Sequence, residues 1–302
     1  MSTSCSSCGP AFVELPLTGG RHLAGLRYDP PPGVTPIASV LYLHGKGGNF
    51  YSGPPRFVPD RCSARRLRQL ALNMRAHDLG YTRDDVPYID LAEGGAVPDG
   101  GFWERLSQGW EDVDCGVAYL RSLGPEPVFV AGHSSGGFYV ADYCARRSNV
   151  AGRILLSPLT SNKRPLPYWF GGDAGCAEAV RHARELVESG RGHFLIPLDR
   201  WFWAISAASL LERWQEPDDV WLTAMRACDA PVLCVAGGTE TRVADWRSLI
   251  AQVPAVRKEF VILEGTDHHY TGAEDQVARI VGDFVEAVAA ASETVAGTRE
   301  EK

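Results

Sequence analysis

Short runs of apolar residues recur along this chain, and within each run the residues are apolar at consecutive rather than alternate positions. Clear examples are V-L-Y-L, V-F-V-A, I-L-L and V-L-C-V-A. A strand covered by helices on both faces has this pattern, whereas a strand with one wet face alternates apolar and polar residues. Stretches of helical periodicity separate the runs. The sequence therefore predicts an α/β fold with a mostly parallel central sheet flanked by helices.

The predicted sheet begins with two short strands, Phe12 to Leu15 and Leu23 to Tyr28, joined by a turn at Gly19-Gly20. The buried strands follow at Ser39 to Leu43, Ala71 to Met74, Val128 to Ala131, Arg153 to Leu156, Pro231 to Ala236 and Glu259 to Leu263. A chain of 302 residues can bury one sizeable core together with an inserted subdomain. We assign the core to residues 11–157 and 223–290, and we expect flexible tails at 1–10 and 291–302.

Residues 158–222 interrupt the alternation of strands and helices, because they contain no clear buried strand. They show helical patterns instead, at Ala174 to Glu188 and at Ala204 to Trp214. We interpret the stretch as a helical cap inserted into the sheet domain.

Aromatic side chains are concentrated in the same stretch, which holds five of the eight tryptophans. Most of them are expected to pack the cap's own core. If the cap covers a binding site, some must face its mouth. Our candidates for contact with an apolar or aromatic part of a substrate are Trp169, Trp201 and Trp203.

Residues 132–136 read G-H-S-S-G, which has the form G-x-S-x-G. A buried strand precedes this segment, and an amphipathic helix from Gly137 to about Arg146 follows it. This strand–turn–helix setting is that of a nucleophile elbow, whose flanking positions must be glycine because a Cβ would clash in so sharp a turn. The sequence predicts Ser134 as a nucleophile at the start of a helix, where negative charge is favoured.

A serine hydroxyl is a poor nucleophile until a base takes its proton. Around such an elbow the chain order is nucleophile, acid, then histidine. The last predicted strand runs into G-T-D-H-H-Y-T-G at 265–272, at a strand's carboxyl end, where open α/β sheets place their ligands. His268 is therefore the predicted base. Its neighbour His269 remains an alternative.

The orienting acid is expected after the preceding strand. There the sequence reads V-A-G-G-T-E, and Glu240 lies three residues past the first glycine. We predict that Glu240 holds the imidazole tautomer and stabilises the imidazolium. Asp245, about one turn later, is the alternative acid. Asp267 is expected to shape the histidine loop.

An oxyanion hole is the third requirement. One backbone N–H is expected from Ser135, directly after the nucleophile, and the other from the loop that follows the strand at 39–43. That loop reads L-H-G-K-G-G-N-F-Y, and its glycines suit the presentation of a bare N–H. We assign the second donor to Lys46 and expect its side chain to point to solvent.

Taken together, these segments make the chain resemble the α/β-hydrolase superfamily from about Phe12 to Val288. The matching segments are L-H-G-K-G-G-N-F-Y, N-M-R-A-H-D, A-G-H-S-S-G-G, I-L-L-S-P, V-A-G-G-T-E and G-T-D-H-H-Y. The resemblance implies the α/β-hydrolase fold and a Ser–acid–His triad. Two departures are Lys46 in the oxyanion loop and glutamate in place of the commoner aspartate, although both acids serve in this fold.

Within the superfamily the chain is most similar to the branch of serine esterases that includes siderophore-ester hydrolases. The similarity lies in the H-G-x-x-x-N-F-Y loop, the elbow and the acidic end of the cap at Pro217-Asp-Asp219. This resemblance does not specify a substrate.

The predicted reaction is cleavage of a carboxylic ester, lactone or thioester through an acyl-enzyme. No metal or organic cofactor is expected, because a triad makes its own nucleophile. One alternative is an acyltransferase or cyclase, which a dry aromatic cap would favour. A second is a non-catalytic ligand-binding protein of the same fold, and a third is an interaction protein with a flat apolar surface patch.

Composition limits the partners. The formal net charge is -7 and the sequence pI is about 5.6, so nucleic acid and anionic membranes would repel the chain. No apolar run approaches the roughly 20 residues of a membrane helix. The first ten residues lack the features of a secretory signal, and eight scattered cysteines form no disulfide framework. We expect a cytoplasmic protein that binds a small-molecule substrate, with its oligomeric state left open.

Overall fold

Eight strands form a central sheet. The computed structural model describes residues 9–81, 98–147, 149–200 and 202–300, of which 293–300 are described by their backbone alone. The strands are β1 (Ala11–Leu17), β2 (Arg21–Tyr28), β3 (Ala38–Leu43), β4 (Leu67–Leu72), β5 (Val128–His133), β6 (Gly152–Leu156), β9 (Val232–Gly237) and β10 (Lys258–Leu263). Their spatial order is β1-β2-β4-β3-β5-β6-β9-β10. In this order the last six strands pair in parallel, whereas β2 pairs antiparallel with both β1 and β4. The predicted fold class is confirmed.

Helices cover both faces of this sheet. The helices of the described residues are α1 (Gly53–Arg61), α2 (Gly109–Leu123), α3 (Ser135–Arg146), α4 (Leu166–Trp169), α5 (Asp173–Glu188), α6 (Ala207–Trp214), α7 (Val220–Arg226), α8 (Val243–Ala251) and α9 (Glu274–Glu300). Of these, α4, α5 and α6 pack in the insertion between β6 and β9 rather than on the sheet. Side chains from α2, α3, α7 and α8 fill one apolar layer, and those from α1 and α9 fill the other. The two layers explain why the central strands are apolar on both faces.

The fourth strand begins at Leu67, whereas the sequence predicted a start at Ala71. The prediction was late because polar residues near the start of the strand interrupt the apolar run. Gln69 is fully buried there. Its amide donates to the carbonyl of Pro59 over 3.0 Å, and its Oε1 accepts from the hydroxyl of Tyr42 over 3.0 Å. A buried amide with both ends satisfied costs little, so the strand tolerates it.

The insertion between β6 and β9 contains a two-stranded ribbon that the sequence did not predict, formed by β7 (Leu195–Pro197) and β8 (Ala204–Ser206). Residues 204–206 were expected to be helical. The helix begins at Ala207 instead, because the Ser206 hydroxyl accepts from the backbone N–H of Ser209 and caps it. The insertion has its own apolar cluster, which includes Leu166, Val180, Ile205 and Leu210.

The final helix is longer than expected. It runs to Glu300, so residues 291–300 continue a helix where we expected a flexible tail. The stretch from Val288 onward is rich in alanine, the residue with the highest helix propensity, which favours continuation. Residues 1–8, most of the other expected tail, lie outside the described residues. Among the helices described, none is both long and apolar enough to cross a membrane.

Phe284 anchors α9 to the sheet. It is 2% exposed, and its ring meets that of Phe129 edge-on with centroids 6.5 Å apart. We expect Phe284→Ala to lower the free energy of unfolding by about 3–5 kcal/mol, because it leaves a cavity as well as losing apolar contact. Urea denaturation followed by circular dichroism measures the loss. Phe12→Ala is the matched control, since Phe12 is 60% exposed; equal losses for the two variants would contradict this packing.

Candidate active site

The turn between β5 and α3 places Ser134 in a strained backbone conformation, with φ 54° and ψ −117°. Such angles are rare for a residue with a side chain and cluster at functional sites. The flanking glycines are sterically required. A Cβ on Gly132 would lie 2.3 Å from the carbonyl oxygen of Gly136, and a Cβ on Gly136 would lie 2.7 Å from that of Leu43. The sharp turn expected from the sequence is present.

The loops after β9 and β10 bring Glu240 and His268 into direct contact. The Nδ1 atom of His268 lies 2.7 Å from Oε2 of Glu240, a short hydrogen bond. Glu240 is largely buried, with 14% of its side chain exposed, whereas His268 is 39% exposed. An ionised carboxylate accepts only, so this contact places the proton on Nδ1 and leaves Nε2 of a neutral ring free to accept another.

Two residues that the sequence analysis missed hold the acid in place. The other oxygen of Glu240 accepts from the backbone N–H of Gly237 over 3.2 Å and from the hydroxyl of Ser157. The hydroxyl of Tyr270 lies 2.8 Å from that of Ser157 and also donates to the carbonyl of Val235 over 2.9 Å. Ser157 directly follows β6, and that position at the carboxyl edge of the sheet is the signal that could have identified it.

His133 links the elbow to the histidine loop. Its Nε2–H donates to the backbone carbonyl of His268 over 2.9 Å, and the two rings lie 4.7 Å apart between centroids. Burial, together with the nearby His268, lowers the pKa of His133 well below its usual value. His133 is therefore neutral at neutral pH. Since it directly precedes Ser134, this bond sets the distance between the serine and the His268 loop.

The alternative base and acid, His269 and Asp245, are exposed and take no part in the hydrogen bond between Glu240 and His268. His269 is exposed, and its backbone N–H donates to Asp267 over 3.0 Å. Asp267 also accepts from the N–H and the hydroxyl of Thr271, so it shapes the loop. Asp245 is exposed in the first turn of α8. Among the candidate acids and bases, Glu240 and His268 are therefore the pair whose side chains are hydrogen-bonded to each other across the two loops.

The loop after β3 packs against Ser134. A Cβ on Gly45 would lie 3.0 Å from the Cβ of Ser134, so the backbone here passes directly beside the serine. The following peptide is that of Lys46. Ser135 begins α3, where backbone N–H groups lack intrahelical partners. The two proposed oxyanion donors therefore belong to segments that meet at Ser134.

His44 fixes the start of this loop and is a further residue missed from sequence. Its Nε2 accepts from the backbone N–H of Met74 over 3.0 Å, which leaves the proton on Nδ1. Nδ1 in turn donates to the carbonyl of Gly45 over 2.8 Å. Burial lowers the pKa of His44 to about 4.

The expectation that the Lys46 side chain points to solvent is wrong. Its Nζ donates to Oε2 of Glu104 over 3.0 Å and to the carbonyl of Gly101 over 3.3 Å, and only 10% of the side chain is exposed. It also lies 5.2 Å from the centre of the Trp203 ring. A buried carboxylate thus compensates the lysine charge. Glu104 lies 58 residues further along the chain, so no local pattern could reveal it.

The predicted substrate-binding tryptophans have different environments. Trp203 is 4% exposed and packs on the oxyanion loop so closely that a Cβ on Gly47 would lie 2.1 Å from its ring. Trp169 is half-buried at the end of α4, where its carbonyl accepts from the N–H of Asp199 over 2.9 Å. Trp201 lies outside the described residues. Contact of these residues with a substrate stays a prediction. Among the side chains described, no group of three or more His, Cys, Asp or Glu is arranged to hold a metal ion.

The sheet order, the elbow and the two converging loops define the α/β-hydrolase fold. The chain belongs to the alpha/beta hydrolase family, whose model matches residues 40–298. Among proteins with curated descriptions, none matches this sequence significantly.

Several solved structures share this fold at low sequence identity. Est1E from Butyrivibrio proteoclasticus, solved with ferulic acid bound, is 17% identical over 92% of this chain and 99% of its own, with a TM-score of 0.65. A thermostable carboxyl esterase from Bacillus coagulans is 13% identical over 94% of this chain and 100% of its own, with a TM-score of 0.65. A monoglyceride lipase from Saccharomyces cerevisiae is 15% identical over 94% of this chain and 97% of its own, with a TM-score of 0.60.

The environment of His44 predicts an acid-sensitive stability. Because the folded pKa is about 4 and the unfolded value is about 6.5, the unfolded chain binds the proton first as pH falls. Stability is therefore lost between pH 6.5 and pH 4, by about 3 kcal/mol from this group alone. We expect His44→Phe to lower stability at pH 7 but to flatten its dependence on pH in this window, as measured by urea denaturation. His182→Gln, at an exposed position, is the control; a slope unchanged by His44→Phe would contradict the assignment.

Proposed function

We propose that this protein is a serine hydrolase that cleaves a carboxylic ester, or a related lactone or thioester, through an acyl-enzyme. The observation that carries the proposal is the 2.7 Å hydrogen bond between His268 and Glu240, which lies at the same edge of the sheet as the strained turn at Ser134. A strained serine, an oriented histidine and a buried carboxylate are the three parts that nucleophilic acyl transfer requires.

In the first half of the reaction, the hydroxyl oxygen of Ser134 attacks the carbonyl carbon while Nε2 of His268 accepts the hydroxyl proton. Glu240 accepts from Nδ1–H throughout, so it holds the reactive tautomer and stabilises the imidazolium without taking the proton. When the tetrahedral intermediate collapses, the bond to the leaving oxygen breaks. His268 gives its proton to the departing alcohol, and the acyl group remains on Ser134.

In the second half, water replaces the alcohol and the same groups repeat their roles, which releases a carboxylic acid and restores Ser134. The oxyanion of each tetrahedral intermediate is held by the backbone N–H groups of Lys46 and Ser135. Preorganised donors of this kind are each worth about 10²–10³ in rate. None of these steps calls for a metal or an organic cofactor.

The substrate is proposed to be a small molecule with an apolar or aromatic part. Trp203, which belongs to the insertion, packs on Gly47 in the oxyanion loop, and this contact supports the insertion at 158–222 as a cap beside the catalytic serine. The structures that share the fold are described as an esterase solved with ferulic acid bound, a carboxyl esterase and a monoglyceride lipase, and these descriptions support ester chemistry here.

The choice of base is tested by two adjacent substitutions. We expect His268→Gln to lower kcat for p-nitrophenyl acetate by roughly 10⁴-fold, because the serine then has no base. His269→Gln is the matched control and is expected to stay within about twofold of the wild type, since His269 is exposed and lies outside the pairing with Glu240. Steady-state hydrolysis of both variants decides the matter; the reverse ranking would assign the base to His269.

A further inference from the structure

We propose that Glu104 is a positioning residue for the oxyanion hole, and that its buried carboxylate sets the distance between the two segments that carry the oxyanion donors. This inference rests on the proposed function. Neither a motif nor chain order points to Glu104; the inference comes from the contacts of its side chain.

The carboxylate of Glu104 receives hydrogen bonds from three separate elements. Oε2 accepts from Nζ of Lys46, in the oxyanion loop, over 3.0 Å. Oε1 accepts from the hydroxyl of Tyr139, in the helix that begins directly after Ser134, over 2.8 Å. Arg213, in α6 of the insertion, also donates to Oε2.

These contacts join the residues that supply the oxyanion donors. Lys46 carries one donor on its own backbone. Tyr139 lies one helical turn after Ser135, which carries the other donor. Because one turn of a helix moves as a rigid body, a shift of Tyr139 also shifts the backbone N–H of Ser135. Because the two oxygens of one carboxylate are a fixed distance apart, the side chains of Lys46 and Tyr139 cannot separate without breaking a charge-assisted hydrogen bond.

Burial makes this arrangement stiff. Glu104 is 4% exposed and Arg213 is 1% exposed. Burial alone would raise the pKa of Glu104, but Lys46 and Arg213 outweigh it and lower that pKa to about 2. Burial and the nearby Arg213 lower the pKa of Lys46 to about 8, although Glu104 opposes the shift. Glu104 is the carboxylate that both cations share in this cluster, and moving it away would leave the buried charges of Lys46 and Arg213 uncompensated, so the cluster resists rearrangement.

The segment that carries Glu104 is itself anchored to the insertion. The carbonyl of Phe102 accepts from the N–H of Ser206 over 2.8 Å. The carboxylate of Glu212 accepts from the N–H groups of Leu106 and Ser107 over 2.8 and 2.9 Å. Glu104 therefore has a fixed backbone from which to hold the loop and the helix.

Two mild substitutions test the proposal, because each leaves the ion pair of Glu104 with Arg213 intact. Tyr139→Phe removes one hydroxyl, and Lys46→Met removes the ammonium but keeps the backbone N–H. We expect each variant to lower kcat for p-nitrophenyl acetate roughly tenfold with KM within twofold, since small displacements of catalytic groups cost rate more than binding. Tyr143→Phe is the matched control: Tyr143 is a buried tyrosine of the same helix, and its hydroxyl donates to Asp114.

The double variant Lys46→Met/Tyr139→Phe distinguishes positioning from general loss of packing. If Glu104 couples the two segments, the double variant loses much less than the hundredfold product of the single effects. Equal kcat in Tyr139→Phe and Tyr143→Phe would overturn the inference, and so would a double variant whose loss equals the product of the single losses. In either case, hydrolysis by the wild type that depends on Ser134 would still support the proposed function. Hydrolysis by the Ser134→Ala variant at the rate of the wild type would overturn the proposed function itself.

Discussion

A side chain at position 136 would collide with the carbonyl oxygens of Leu43 and His44, and the rest of the site depends on this close approach between α3 and the end of β3. Because Gly136 allows the contact, the first turn of the helix reaches the oxyanion loop, and Ser134 is held at the carboxyl edge of the sheet in a conformation that a side chain rarely adopts. The neighbouring strand β6 stabilises this strained conformation, because the backbone N–H of Ser134 donates to the carbonyl of Leu156. The strain is local, and the parallel sheet that bears it is buried on both faces.

Around this point hydrogen bonds between loops fix the structure, together with the packing of Trp203 on Gly47. His133 binds the carbonyl of His268, and His44 binds the loop that precedes Lys46. Ser157 and Tyr270 support Glu240 from the adjacent strand end. Each of these groups is buried and has a partner, as buried polar groups in stable proteins do. The proposed function assigns the oxyanion donors and the base to the segments that these hydrogen bonds hold, and donors positioned before a substrate arrives are those that stabilise an oxyanion most effectively.

The features that could be read from the sequence are those with a local cause. Consecutive apolar residues identified the parallel strands, and the need for Gly132 follows from a steric clash with Gly136 within five residues, whereas Gly136 is also required by the distant end of β3. Chain order and position after a strand made His268 and Glu240 the preferred base and acid, with His269 and Asp245 as alternatives that the sequence left open. What could not be read depends on contacts between distant segments. The buried pair of Lys46 with Glu104 has no local signature, because it exists only after the chain has brought distant residues together. The contact of Ser157 with Glu240 is of the same kind, and only the position of Ser157 directly after β6 points to it. The ribbon of β7 and β8 is local, but strands of three residues are too short to show a pattern.

The proposed activity depends above all on one property of the protein, an activated hydroxyl at Ser134. Intact-protein mass spectrometry after treatment with a fluorophosphonate probe measures that property directly, since the probe phosphonylates only a serine whose proton a base can take. The wild type is predicted to gain the mass of one adduct and Ser134→Ala to gain none. A wild type without an adduct, or an adduct that persists in Ser134→Ala, would contradict the assignment of this site.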